Sequence, residues 1–265
     1  MKQLVYRIVA PWMRRLLHGK TGFKRISGTQ SWLRYPKDQH LGFLLGREIH
    51  YEKNIRHSIL NLVQPGSRVF EIGSNIGQYT LPLSERLGPT GRLIAIEPDH
   101  DNFSWLEINC RENHCHNVTL VSKAISDHVG EMKFYKDTVT GGRSGSLFEQ
   151  YVGNAYSGKW ETVLTMTYNQ LVESYGIPDF VKVDAEGAEI LIFNSITHLN
   201  PSTRYFIEVR DATGRAIYKL FTEAGFNVYE VKKDLKKIPD IEKIPSFANL
   251  LFINEQPESH RMGVV

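Results

Sequence analysis

Three stretches bring acidic residues to places where an apolar run ends. The first is Phe70-Glu71-Ile72-Gly73-Ser74-Asn75-Ile76-Gly77. Gly73 and Gly77 permit a tight turn and a close backbone approach, and asparagine is the non-glycine residue that best tolerates the left-handed region. Asn75 replaces the middle glycine of a dinucleotide fingerprint, and no Gly-x-x-x-x-Gly-Lys-Ser/Thr run occurs, so dehydrogenase and P-loop chemistry are disfavoured. The second stretch, Ile94-Ala95-Ile96-Glu97-Pro98-Asp99, places an acid 24 residues after Gly73. An acid at that point accepts hydrogen bonds from ribose hydroxyls. Glu71 and Glu97 on adjacent strand ends would repel a pyrophosphate. They favour an adenosine ligand without one, and the sulfonium cation of S-adenosylmethionine suits them.

The third stretch is Phe180-Val181-Lys182-Val183-Asp184-Ala185-Glu186-Gly187, followed further on by Phe206-Ile207-Glu208-Val209-Arg210. If the strand ending in Asp184 lies beside the strand ending in Ile72, Asp184 sits at the carboxyl edge of the sheet, next to the transferred methyl. Asp184 is then the leading base or metal ligand, and Glu186 and Glu208 complete the catalytic set. The alternative is that Asp184 only caps the next helix or pairs with Lys182. No metal is assigned; if one were bound, Asp184, Glu186 and Glu208 are oxygen ligands suited to Mg²⁺. Cys110, His114, Cys115 and His116 fit no ordinary zinc spacing.

The elements that must position these residues alternate along the chain. Helices are expected over 55–63, 77–87, 99–113, 168–175 and 214–224. Short apolar strands are expected over 69–72, 93–96, 118–121 and 180–183, with further strands in 204–209, 226–231 and 248–254. Asp99 is a good N-cap, whereas Pro82 is awkward inside its helix. Continuously apolar strands alternating with helices indicate a parallel sheet covered on both faces. Residues 127–167 interrupt this with a hairpin-like region. Its loop over 138–159 is rich in Gly, Ser and Tyr and suits acceptor recognition. Tyr151, Tyr156 and Trp160 are equally suited to stacking on sugar rings and to packing.

The 265 residues contain 41% hydrophobic and 23% charged residues, ordinary for a globular chain. Two cysteines form no disulfide framework, so a reducing, cytoplasmic compartment is expected. Charge is uneven: the first 37 residues hold nine Lys or Arg and no acid, leaving −6 on the rest. Residues 1–50 therefore read as a basic, helical N-terminal extension, 51–256 as the main domain and 257–265 as a tail. Within the extension, Val5, Ile8, Val9, Trp12, Leu16 and Leu17 recur at helical spacing, and Pro11 should kink or divide that helix. Packing on the domain, peripheral membrane contact through residues 1–20 and a cleaved organelle presequence, Arg-rich and acid-free though poor in serine, all stay open.

The chain resembles the FkbM family of S-adenosylmethionine-dependent methyltransferases. The resemblance rests on PGSRVFEIGSNIGQYTL, AIEPD, AISDHVGEMKFY, SGSLF and PDFVKVDAEGAE, which occur in the family's order over residues 50–255. It implies a Rossmann-like class I methyltransferase fold, seven-stranded and mostly parallel with an antiparallel last strand. It also implies O-methylation of a sugar, glycan or related small molecule. By resemblance, Glu71, Gly73, Ser74, Asn75, Gly77, Glu97 and Pro98 hold the cofactor, and Ser126 and Asp127 lie near its adenine. One departure is plain: relatives carry a carboxylate-x-His run where this chain has Glu208-Val209-Arg210, and arginine cannot deprotonate a hydroxyl. A nucleic-acid methyltransferase is the main alternative. It lacks support, because no Asp/Asn-Pro-Pro-Tyr/Phe run follows the fourth strand and residues 38–265 are net acidic. A non-catalytic cofactor-binding protein is the other.

Overall fold

A computed structural model describes residues 2–44, 50–138, 144–153 and 156–255. In chain order the elements are α1 (Lys2–Leu17), β1 (Thr21–Arg25), β2 (Trp32–Pro36), α2 (Leu41–Leu44), α3 (His50–Leu62), β3 (Arg68–Ile72), α4 (Thr80–Leu87), β4 (Arg92–Ile96), α5 (His100–Glu112), β5 (Val118–Val121), β6 (Ala124–Ser126), β7 (Gly130–Asp137), α6 (Glu149–Val152), β8 (Tyr156–Thr167), α7 (Tyr168–Tyr175), β9 (Phe180–Val183), α8 (Glu189–Asn194), β10 (Arg204–Arg210), α9 (Asp211–Glu223), β11 (Asn227–Val231), β12 (Leu235–Lys237) and β13 (Phe247–Ile253).

The main sheet runs β12-β11-β13-β10-β9-β3-β4-β5. Strands β5, β4, β3, β9 and β10 are parallel, and β13 inserts antiparallel between β10 and β11. This is the expected seven-stranded order with one addition, the three-residue β12 that folds back on β11. Apolar residues alternate across it. Phe70, Ile72, Val181, Val183, Ile207 and Val209 face one core with α7, α8 and α9. Val69, Leu93, Phe180, Phe206 and Leu251 face a second with α3 and α4. Both faces are buried, which is why these strands are short and nearly continuously apolar.

A second sheet, β6-β8-β7, lies over the start of α8 and shares a small core of Ala124, Phe134, Leu147, Val163 and Ala188. It is the interruption expected between residues 127 and 167. Pro82 is not awkward after all: α4 begins at Thr80, so the proline falls in the first turn, where its missing N–H has no helical partner to lose. Asp99 caps α5, its carboxylate accepting from the N–H groups of Asp101 and Asn102.

The N-terminal segment departs from the helical reading. It is helical over α1, and Pro11 does not divide that helix. Residues 21–36 instead form the antiparallel hairpin β1–β2. Ile26, Leu33 and Tyr35 of the hairpin share a core with Ile76, Leu81, Leu106 and Cys110, so no boundary separates two cores at residue 50. The side chains of Asn109 and Asn113 bond the hairpin backbone at Arg34 and Trp32. The expected tail, 257–265, lies outside the described residues, as do 139–143 and 154–155 of the expected recognition loop.

Candidate active site

The sheet geometry brings the predicted residues to one edge. Strands β3, β4, β9 and β10 end side by side, and beyond their carboxyl ends lies a cavity of about 450 Å³. It is lined by Gly73, Ser74, Asn75, Glu97, Pro98, Asp184, Glu186 and Glu208 from the sequence-predicted set. Glu71 and Gly77 do not line the cavity: Glu71 is buried within β3, and Gly77 closes the turn that follows it. Ser126 and Asp127 do not line the cavity. Ser126 is buried with its hydroxyl on Asp127 and Met132, and Asp127 is partnered with His128. Their place at the cavity is taken by Lys123, Ala124 and Ile125, because β6 carries the chain away to pair with β8 immediately afterwards.

The turn after β3 takes the expected shape, with positive φ at Gly73, Asn75 and Gly77. The N–H groups of Gly73 and Ser74 donate to the Ile96 carbonyl, tying the turn to β4. Asn75 N–H donates to Glu97 Oε2 at 2.7 Å, and Asp99 N–H to Glu97 Oε1 at 2.9 Å. Burial, then the charge of Asp99, pushes the Glu97 carboxyl up to about 8. A carboxylate offers about four acceptor positions, so Glu97 keeps acceptor capacity towards the cavity, as ribose hydroxyls require.

Glu71 and Lys182 are direct neighbours across β3 and β9. Glu71 is fully buried, which pushes it up to about 7 against the pull of Lys182 and Thr80. Its Oε2 accepts from Thr80 at 2.6 Å. Burial works to lower Lys182, but Asp184, Glu71 and Glu208 outweigh it and raise it. Its ammonium lies 3.4 Å from Asp184 Oδ2 and 4.7 Å from the centre of the Tyr79 ring. The pairing of Asp184 with Lys182 is therefore present, and it does not remove Asp184 from the cavity.

Asp184, Glu186 and Glu208 each offer an oxygen within 4.8 Å of the other two. Glu186 has a left-handed backbone (φ 49), an uncommon state for glutamate that tends to persist where function requires it. The Ser146 hydroxyl donates to its carbonyl at 2.7 Å, and Tyr151 packs so closely on Gly187 that a Cβ there would strike the ring. Tyr151 is thus a packing residue of the site. Trp160 stands half exposed on β8 under the Lys133 ammonium, outside the cavity lining. Arg210 pairs with Glu186 at 2.7 Å and Glu208 at 3.3 Å. Burial, and next the charge of Asp184, raises both glutamates despite Arg210.

Sequence reasoning missed Glu189, Asn249, Phe247 and Lys123. Glu189 is buried behind the cluster, accepts from Gly187 N–H at 3.0 Å, and is pushed by burial up to about 7. Its signal was a third acid in the Asp184-Ala185-Glu186-Gly187-Ala188-Glu189 run. Asn249 is a buried polar residue inside an apolar strand, directly opposite Glu208; that contrast was readable. Phe247 lies opposite Arg210, whose guanidinium stacks on its ring at 5.2 Å.

Six carboxyl groups (Glu71, Glu97, Asp184, Glu186, Glu189, Glu208) thus stand in or just behind a cavity that also holds Lys123, Lys182 and Arg210. An excess of acid suits a cationic ligand and disfavours a phosphorylated one. The residues present therefore fit S-adenosylmethionine.

Comparison with known proteins agrees. The family model of the methyltransferase FkbM domain matches residues 71–238, more than half of the chain. No curated protein sequence matches. Among solved structures the chain is similar to TYW2 of M. jannaschii in complex with AdoMet, at 14% identity and a TM-score of 0.45, covering 89% of this chain and 86% of that one. It is similar to a precorrin-6y C5,15-methyltransferase from Geobacter metallireducens, at 14% identity and a TM-score of 0.44, covering 76% and 87%. A SAM-dependent O-methyltransferase from Thermotoga maritima aligns at 14% identity with a TM-score of 0.40, covering 77% and 66%. These likenesses are too distant to carry more than the sequence match does. On that match, the chain belongs to the FkbM family of methyltransferases, which use S-adenosylmethionine as methyl donor.

Proposed function

We propose that the protein methylates a hydroxyl oxygen of a sugar, glycan or related small molecule. The observation that carries this reading is the carboxylate trio Asp184, Glu186 and Glu208 at the cavity, with oxygens within 4.8 Å of one another. When bound, S-adenosylmethionine supplies a methyl carbon already activated by a positive sulfur. Glu97 holds the ribose hydroxyls, and the Gly73–Gly77 turn lets the backbone come close to the ligand. The acidic lining favours the cation. Alignment of acceptor and methyl in this confined space lowers the barrier by about 7–11 kcal/mol in good cases.

A hydroxyl that accepted the methyl group would have to lose its proton to a group of this chain. Asp184 is the best placed to take it: its side chain is 30% exposed, against 11% for Glu186 and 19% for Glu208. Glu186 and Glu208 are raised by burial and by Asp184 and keep their own protons to higher pH, which leaves the uptake to Asp184. Arg210 cannot act as base, but it holds the two glutamates in place. Asn249 and the Phe247 ring offer a hydrogen-bonding and a flat apolar contact of the kind sugar rings use. A nucleic-acid acceptor is disfavoured because the same acidic lining repels phosphates. Incubation with methyl-labelled cofactor and a panel of monosaccharides, oligosaccharides and extracted glycolipids tests the proposal, with products identified by mass spectrometry. Label on carbon or nitrogen, or label entering RNA in preference to glycans, would refute it.

A further inference from the structure

We infer that the outward face of α1 is a docking surface for an anionic lipid bilayer. The sequence pattern left open whether the stripe through Trp12 and Leu16 packs on the domain. Within the described part of the helix it does not. Ala10 is buried and Met13, Arg14 and Leu17 are half-buried, which is the i, i+3, i+4, i+7 face of a helix. Trp12 and Leu16, one turn apart, are 74% and 72% exposed, with Arg15 exposed beside them. Trp12, the largest apolar side chain of that stretch, and Leu16 thus point into solvent while Ala10, Met13 and Leu17 make the contact.

Trp12 and Leu16 are the most exposed large apolar side chains among the described residues. Phe23 and Trp32 on the outer face of the β1–β2 hairpin are also more than half exposed, alternating there with Arg25 and Arg34. The same 37 residues carry nine Lys or Arg and no acid. Apolar side chains that insert at the headgroup level, flanked by cations that attract anionic lipid, are the two components of interfacial helix binding. Tryptophan also favours that interface.

Other occupants fit less well. Two copies of this chain meeting here would oppose like charges. Single-stranded nucleic acid would use the aromatic rings but leave Leu16 without a partner. No helix among the described residues is long and apolar enough to cross a membrane, so the contact is peripheral.

The test is co-sedimentation of the full chain with vesicles of phosphatidylcholine alone and vesicles enriched in phosphatidylglycerol. The parent should pellet with the anionic vesicles only, and less as sodium chloride is raised. The double variant Trp12→Glu/Leu16→Glu should reduce the pelleted fraction about tenfold or more at an unchanged melting temperature. The charge variant Arg15→Ala/Lys20→Ala should weaken binding and its salt dependence, and covers the case in which the first variant folds poorly. Trp160→Ser, an exposed tryptophan elsewhere, should pellet like the parent. A parent that stays in the supernatant, or a Trp12/Leu16 variant that pellets normally, overturns the inference. So does an effect of that variant confined to self-association or to oligonucleotide binding.

Discussion

A side chain on Gly73 would run into the carbonyl oxygen of Asp184. The ends of β3 and β9 meet there backbone to backbone, and Asp184 N–H donates to the Ile72 carbonyl at 3.0 Å. The turn proposed to hold the cofactor and the carboxylate proposed to act on the acceptor are thus joined backbone to backbone. Gly73 also sits at φ 84.

Gly73→Ala should therefore be among the most damaging single substitutions in the chain. Left-handed backbone costs alanine about 1–2 kcal/mol and overpacking about 1–3 more. Gly28, at φ 81 with open space around it, supplies the comparison, since Gly28→Ala meets only the first cost. Denaturant unfolding should rank the two in that order, with cofactor binding lost only at Gly73. Equal effects would mean that strain alone, not the contact with Asp184, matters.

Asp184→Asn keeps the shape and removes the proposed base. Turnover at saturating acceptor should fall by ~10²-fold or more. The dissociation constant for S-adenosylmethionine should change little, since Glu97 and the Gly73 turn carry that binding. Calorimetry and initial rates read the two effects separately. Retained turnover would show that alignment suffices without this proton acceptor.

Much of this site was legible because the residues that make it are local punctuation. Each acid or glycine ends an apolar run, and a parallel sheet places such ends side by side. The helix boundaries were harder. Pro82 marked the true start of α4, but the apolar periodicity runs on through Ile76 and drew the expected start to 77. The β1–β2 hairpin was hidden by the density of basic residues around it. Its two strands bury only alternate residues, such as Leu33 and Tyr35, against α5. Ser126 and Asp127 were placed by family pattern, and the pairing of β6 with β8 moves the cavity lining to Lys123, Ala124 and Ile125. Which face of α1 packs cannot be read from periodicity, because both faces carry apolar residues.

The buried acids make a pH prediction with a definite sign. Glu97 is raised from 4.5 to about 8 and Glu71 to about 7, chiefly by burial. The folded state then holds protons that the unfolded chain has released. The resulting stabilisation is complete below about 4.5 and is lost as pH rises through about 7 to 8. The ligand-free protein should melt at a higher temperature at pH 6 than at pH 8.5, and Glu97→Gln should flatten that slope. A cationic cofactor favours the ionised carboxylates, so the melting-temperature rise on adding S-adenosylmethionine should grow over the same window. A ligand-free melting temperature that climbs from pH 6 to 8.5 would contradict the assignment.

Arg210 decides whether the three carboxylates need a metal. It already places a guanidinium against Glu186 and Glu208, stacked on Phe247. A divalent cation bound by Asp184, Glu186 and Glu208 would have to share those oxygens with it. Arg210 therefore supplies the neutralising charge, and EDTA should leave the parent's turnover within about twofold. Arg210→Gln removes that charge from a site crowded with acids, so turnover should fall by ~10²-fold. Millimolar Mg²⁺ should then restore part of it, because the vacated oxygens are hard ligands of suitable spacing. If instead EDTA abolishes the parent's activity and Mg²⁺ returns it, the cation is a working part of the enzyme and Arg210 only positions its ligands.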